Sequence, residues 1–150
     1  MKVKRLFAKK IKDTRGEDTI EISLKTDFGD FIASAPNGKS RGSFEVNPWK
    51  KNILKDIWEI NNYFIEDINL REFSDLGLIE DIFRDRVGGN TVIAIEYVFL
   101  KALSKMEEKE VWELINSKAS KFPYSVGNAI GGGKHSYGKK PDFQEFHFIP

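Results

Sequence analysis

Apolar and polar positions alternate with a period of two through residues 2–36, then change to a helical period near Pro48. Lys2-Val3-Lys4-Arg5-Leu6-Phe7-Ala8 predicts a first strand. Thr19-Ile20-Glu21-Ile22-Ser23-Leu24-Lys25-Thr26 puts its apolar residues on one side, as a half-buried strand does. Asp27-Phe28-Gly29-Asp30 supplies turn residues, and Phe31-Ile32-Ala33-Ser34-Ala35 returns as the hairpin partner. The pattern predicts a three-stranded antiparallel meander, followed by a loop over residues 36–42.

Beyond Asn47-Pro48 the spacing is helical. Asn47 can cap a helix, and Pro48 suits a first helical position, where its missing N–H costs nothing. Ile53, Leu54, Ile57, Trp58, Phe64, Ile65 and Ile68 then fall on one stripe. Leu78, Ile79, Ile82 and Phe83 predict a shorter helix ended by Gly88-Gly89. Residues 91–106 are apolar on most sides and predict a central buried helix, in which Glu96 should face an edge or pair with a cation. Val111, Trp112 and Ile115 mark a last helix, and Trp58 and Trp112 are assigned to the core while Trp49 stays undecided. Strands followed by helices, rather than alternating with them, predict an α+β fold: the meander packed on a helical cluster over residues 48–118.

Composition narrows the chemistry. The 150 residues suit one domain, and 40% hydrophobic with 31% charged residues reads as globular. A net charge of +1 supplies no field that would draw the chain to nucleic acid or an anionic membrane. Zero cysteines exclude disulfides, thiol catalysis and thiolate zinc sites. With two histidines, His135 and His147, a metal would rest on oxygen ligands. No apolar run reaches membrane-spanning length and the start does not read as a signal segment, so a cytoplasmic protein is the default.

Several motifs occur in one order. Asp13-Thr14-Arg15-Gly16-Glu17-Asp18-Thr19 precedes the second strand, and Pro36-Asn37-Gly38-Lys39-Ser40-Arg41-Gly42 follows the third. Gly88-Gly89-Asn90-Thr91 opens the buried helix. Asn128-Ala129-Ile130-Gly131-Gly132-Gly133-Lys134-His135 leads to Gln144-Glu145-Phe146 and Pro150. Together they resemble the amino-terminal domain of the enolases and the point where that domain hands over to the barrel. The resemblance implies an enolase-type capping domain over residues 1–142, with residues 143–150 starting the strand that would lead into a barrel. The run ends without an evident partner strand, so Phe143 to Ile149 is expected to be a docking edge.

What the resemblance implies for function is equally specific. His135 matches a loop histidine that closes over substrate, Glu145 a carboxylate at the edge of the catalytic water network, and Gln144 its polar neighbour. Lys39 and Arg41 depart from the resemblance, adding two cations absent from the family's usual loop; Lys39, Ser40 and Lys134 are candidate contacts to a small phosphorylated acid. Asn37 stands where the family has a serine on the second Mg²⁺, and its carbonyls are acceptable hard oxygen donors. Arg15 is expected to pair with Asp13, Glu17 or a partner chain. The family's lysine base, glutamate acid and principal magnesium carboxylates all lie on the barrel. The chain alone is therefore expected to be inert, acting with a separately encoded barrel or self-associating. The alternative is a non-catalytic enolase-derived binding or regulatory module. A third pattern, Ala33-Ser34-Ala35-Pro36-Asn37-Gly38-Lys39-Ser40, loosely fits a phosphate loop, which would require a helix starting at Lys39-Ser40.

Overall fold

The computed structural model describes residues 1–38, 40–65, 68–133 and 136–150. They form two compact units, Met1–Ser117 and Lys118–Pro150. The first unit opens with an antiparallel sheet in the order β1 (Val3–Lys12), β2 (Asp18–Thr26), β3 (Asp30–Ala35). Its inner face follows from the alternation. Ile22 lies between Ala8 on β1 and Ala33 on β3, and Leu24 pairs with Leu6. Branched residues fill the middle strand, and the flanking alanines leave room for a helix against it.

Strand β1 runs four residues further than its apolar pattern suggests. Charge rather than burial carries the extension: Lys9 pairs with Glu21 at 2.8 Å, while Lys10 and Lys12 reach Asp18 at 3.0 and 2.6 Å. Those two ammonium groups hold the Asp18 carboxyl below its ordinary value. The turn after β1 is built by Asp13, whose Oδ1 accepts from the Arg15 and Glu17 backbone N–H groups at 2.8 and 2.9 Å. Gly16 completes it at φ +78°, a conformation that favours glycine.

The helices are α1 (Ile53–Asn61), α2 (Leu76–Phe83), α3 (Gly89–Met106) and α4 (Val111–Ile115). The predicted start of α1 is corrected. Asn52 is the cap, its side chain accepting from the Lys55 N–H at 2.9 Å. Asn47 and Pro48 stay outside the helix because their carbonyls serve α3, accepting from the Gly89 and Asn90 N–H groups at 2.8 and 3.2 Å. The stripe from Ile53 to Ile68 is also not one helix. Asn62 ends α1, and Asn61 turns its amide to the Ala8 backbone, bonding both its N–H and its C=O. Ile65, Ile68 and Leu70 are buried from the segment beyond.

Helix α3 is the central helix, as its pattern predicts. Thr91, Ala94, Ile95, Val98, Phe99, Ala102 and Leu103 are buried at helical spacing against the sheet and α2. Glu96 is half-buried, and its burial together with the Glu80 carboxylate pushes its carboxyl above the ordinary value. Trp58 and Trp112, assigned to the core by periodicity, are both about half exposed (55% and 52%). Trp58 instead lies under the Lys55 ammonium, 3.8 Å from its ring centre. Trp49 packs against the core from the side.

The second unit corrects the expected free strand. Residues Glu145–Phe148 form β5, which pairs antiparallel with β4, Gly127–Gly131, inside the same chain. Its backbone therefore has a partner on one side. Among the described residues of this unit Gly132 alone is buried. No helix among the described residues is long and apolar enough to cross a membrane.

Candidate functional site

The sequence-predicted site residues fall into two clusters, one in each unit. Lys39, Lys134 and His135 lie outside the described residues.

In the first unit, Asn37 is the second residue of the loop after β3. Its Nδ2 donates to the Asp18 carbonyl at 2.7 Å, tying the loop to β2. Its Oδ1 accepts from Asn90 Nδ2 at 2.9 Å, tying it to the first turn of α3. Its backbone carbonyl accepts from Arg15 Nη2 at 2.6 Å. Arg15 is in turn held by Asp13 and Glu17 at 3.3 and 3.2 Å, the ion pairs expected from sequence. Burial opposes ionisation of Asp13, but the Glu17 and Arg15 amides and the Arg15 guanidinium outweigh it and lower its carboxyl value. A cleft of about 450 Å³ opens beside this junction, lined among others by Glu17, Ser40, Arg41, Glu45 and Trp49. Ser40 is exposed there, and Arg41 Nη1 donates to the Asn47 side chain.

What holds this geometry was not visible in the sequence. Asp56 is fully buried, yet it lies on a helix where a charged residue normally reads as solvated. Its Oδ1 accepts from the Lys50 N–H at 3.1 Å; its Oδ2 accepts from the Gly88 N–H at 2.8 Å and the Thr91 hydroxyl at 2.7 Å. One carboxylate thus joins α1, the loop before it and the start of α3. A Cβ on Gly88 would stand 2.3 Å from the Trp49 Cα, so only glycine lets these backbones meet. Asn90, the donor to Asn37, follows directly on this staple.

In the second unit, a glycine pair holds the far cluster together. The Gly132 N–H donates to the Gln144 carbonyl at 2.7 Å, and the Gly133 N–H to the Pro141 carbonyl at 3.1 Å. A Cβ at Gly132 would stand 2.1 Å from the Phe143 carbonyl oxygen. Gly132 and Gly133 are thereby fixed against Gln144 and Pro141. Glu145 Oε2 is 2.9 Å from His147 Nε2. His147 was not assigned a role from sequence, although its spacing of two on a strand places it on the same side as Glu145. The register gives the hairpin two faces: Asn128, Gly131, Glu145 and His147 on one, Ile130, Phe146 and Phe148 on the other.

The described residues contain no group of three or more carboxylates or histidines able to hold a metal. Each of the two oxygens of Asn37, the proposed magnesium ligand, already accepts one hydrogen bond, from a guanidinium and from an amide. The phosphate-loop pattern is excluded. The sheet is antiparallel, and no helix begins between Ser40 and Asn52.

An antiparallel meander backed by a central buried helix defines an α+β domain. No family model matches the chain. Curated relatives do. The enolase of Methanothermobacter thermautotrophicus is 30% identical over 152 residues, covering 95% of this chain and 36% of that protein. The enolase of Saccharolobus solfataricus is 34% identical over 93% of this chain and 36% of its own length. Enolase 2 of Pseudomonas syringae pv. tomato is 24% identical over 99% of this chain and 39% of its own. The chain is thus a relative of the enolases, similar to their amino-terminal portion, and it spans just over a third of their length.

Proposed function

We propose that the chain is the amino-terminal part of an enolase-type enzyme, supplying active-site loops to an enolase-type barrel, the whole converting 2-phosphoglycerate to phosphoenolpyruvate. The observation that carries the reading is similarity to enolases along nearly the whole chain, at more than one level of identity. In this reading His135 closes over the substrate, while Glu145, with Gln144 beside it, faces the water network of the reaction. Ser40, Lys39 and Lys134 contact the phosphorylated acid. The Mg²⁺ of the completed enzyme would be held by the barrel and would stabilise the charge developing on the substrate carboxylate. This chain's residues orient substrate and exclude water, work that loops do by closing.

The second unit supports the docking half of the proposal. Ile130, Phe146, Phe148 and Phe143 are exposed on a hairpin without a core of its own. An apolar face with a free strand edge is normally covered, and a barrel accepting one more strand would cover it. Self-association through the same face is the other way to achieve this.

One observation favours the second reading, a non-catalytic enolase-derived binding or regulatory module. Asn37 is engaged by protein groups where the family resemblance places a metal ligand. The two readings separate in a complementation assay. The chain alone should not dehydrate 2-phosphoglycerate with or without Mg²⁺. Mixed with an enolase-type barrel lacking this region it should, and Glu145→Ala or His135→Ala should lower turnover while leaving assembly intact. A mixture that assembles but stays inactive would leave the binding module.

A further inference from the structure

The junction at Asn37 is arranged as a latch. Arg15 is fixed before it reaches the loop, because Asp13 and Glu17 hold its guanidinium from the same turn. A planar guanidinium held in this way is a preorganised donor. It delivers Nη2 to the Asn37 carbonyl at 2.6 Å, a short, charge-assisted bond. Asn90 supplies the second hold from α3 and the Asp18 carbonyl the third from β2. Three elements thus converge on one residue at the mouth of the loop. A Mg²⁺ about 2 Å from the Asn37 carbonyl would stand within about 5 Å of the guanidinium, which opposes it.

We propose that Arg15 and Asn90 are positioning residues that latch the first loop at Asn37 by protein hydrogen bonds, with the guanidinium as the cation of this junction in place of a metal. The latch sets the direction in which Ser40 and Arg41 enter the cleft. The proposal goes beyond the enolase-type reading and does not depend on it, since the chain by itself suffices for the test.

The experiment is heteronuclear NMR with hydrogen exchange on the full chain. In the unsubstituted protein the Arg15 Nη protons should be resolved and protected. The Asn37 and Asn90 side-chain amide signals should stay in place on adding millimolar Mg²⁺. Arg15→Ala should speed exchange at Gly38, Ser40 and Arg41 by about tenfold, the size of one lost charge-assisted bond, and Asn90→Ala by about threefold to fivefold, the size of one lost neutral bond. Amides in the centre of β2 should not respond. Arg15→Lys should recover part of the protection, because it keeps the charge and loses the fork. Asn37→Ser should release the loop as Asn90→Ala does. Saturable Mg²⁺ shifts at Asn37 would overturn the proposal, as would unchanged loop exchange in both alanine variants. Unprotected Arg15 Nη protons in the unsubstituted chain would overturn it without recourse to any variant.

Discussion

The two units of this chain are stabilised in different ways. Met1–Ser117 buries a continuous core from the sheet and α1, α2 and α3, with Phe83, Phe99, Ile22 and Leu24 among its fully covered side chains. Lys118–Pro150 has a hairpin whose strand residues are all exposed, and its close contacts are between backbones, at Gly132 and Gly133. The first unit can tolerate changes on its loops because burial supports it. The second depends on glycine geometry, and its apolar side chains remain available to another surface. The roles proposed above would use the two units differently: loops carried on a buried core have a firm base, and an exposed apolar hairpin offers an open face.

The comparison breaks most visibly at Asp56. Asp56→Ala leaves the Gly88 and Lys50 N–H groups and the Thr91 hydroxyl without their acceptor in a buried place. The expected loss is roughly 3–5 kcal/mol of first-unit stability, read from urea unfolding followed by far-UV circular dichroism. NMR signals of the β4–β5 hairpin should keep their positions in the folded fraction. If the hairpin melts with the core, the two regions are not independent.

Gly132→Ala tests the opposite arm. The added methyl would meet the Phe143 carbonyl at 2.1 Å, so the turn cannot close as it stands. Loss of the cross-strand signals between Gly127–Gly131 and Glu145–Phe148 is expected, with the first unit's unfolding midpoint unchanged. Phe148→Ala should shift stability by no more than about 0.5 kcal/mol, as for any exposed substitution. In the presence of a barrel partner the same substitution should weaken association. A large stability loss in the isolated chain would show that the aromatic face is an internal core after all.

The smallest effect concerns pH. Glu96 has a folded-state value raised by burial and by Glu80, so its ionisation opposes folding. Stability from this group is present below the unfolded carboxylate value and is lost as pH rises through the raised folded one. Glu96→Gln should therefore raise the thermal midpoint slightly at neutral pH and have no such benefit in acid. Asp13 and Asp18 act the other way. Their folded values are lowered, so their contributions are present above the unfolded value and lost as pH falls through the folded one. Thermal scans of the unsubstituted chain into acid would show the Asp13 and Asp18 loss, and the difference from Glu96→Gln would show the opposite sign towards neutral pH. A neutral-pH midpoint unchanged by the substitution would remove Glu96 from the account.

The meander, the central helix and the relation to enolases were legible because each rests on local order. Period two places Ile20, Ile22 and Leu24 on one side of a strand, and helical spacing places Ala94, Ile95, Val98 and Ala102 on one side of a helix, wherever those elements go. The same rule misled at Trp58 and Trp112. Periodicity states which residues share a stripe and leaves open how wide a stripe the neighbours cover. The helix start moved from Asn47 to Asn52 for a similar reason. Both asparagines can cap, and the choice fell to α3, whose first amides needed the Asn47 and Pro48 carbonyls.

Strand propensity, turn positions, the buried face of α3 and the family relation were thus determined by the sequence itself, since each depends on neighbours a few residues away. Tertiary structure alone decided the burial of Asp56, the latch of Arg15 and Asn90 on Asn37, and the pairing of Glu145–Phe148 with Gly127–Gly131. Those contacts join residues far apart along the chain. Their energy comes from matching a donor to an acceptor once the backbone has brought them together, and no local pattern encodes that match.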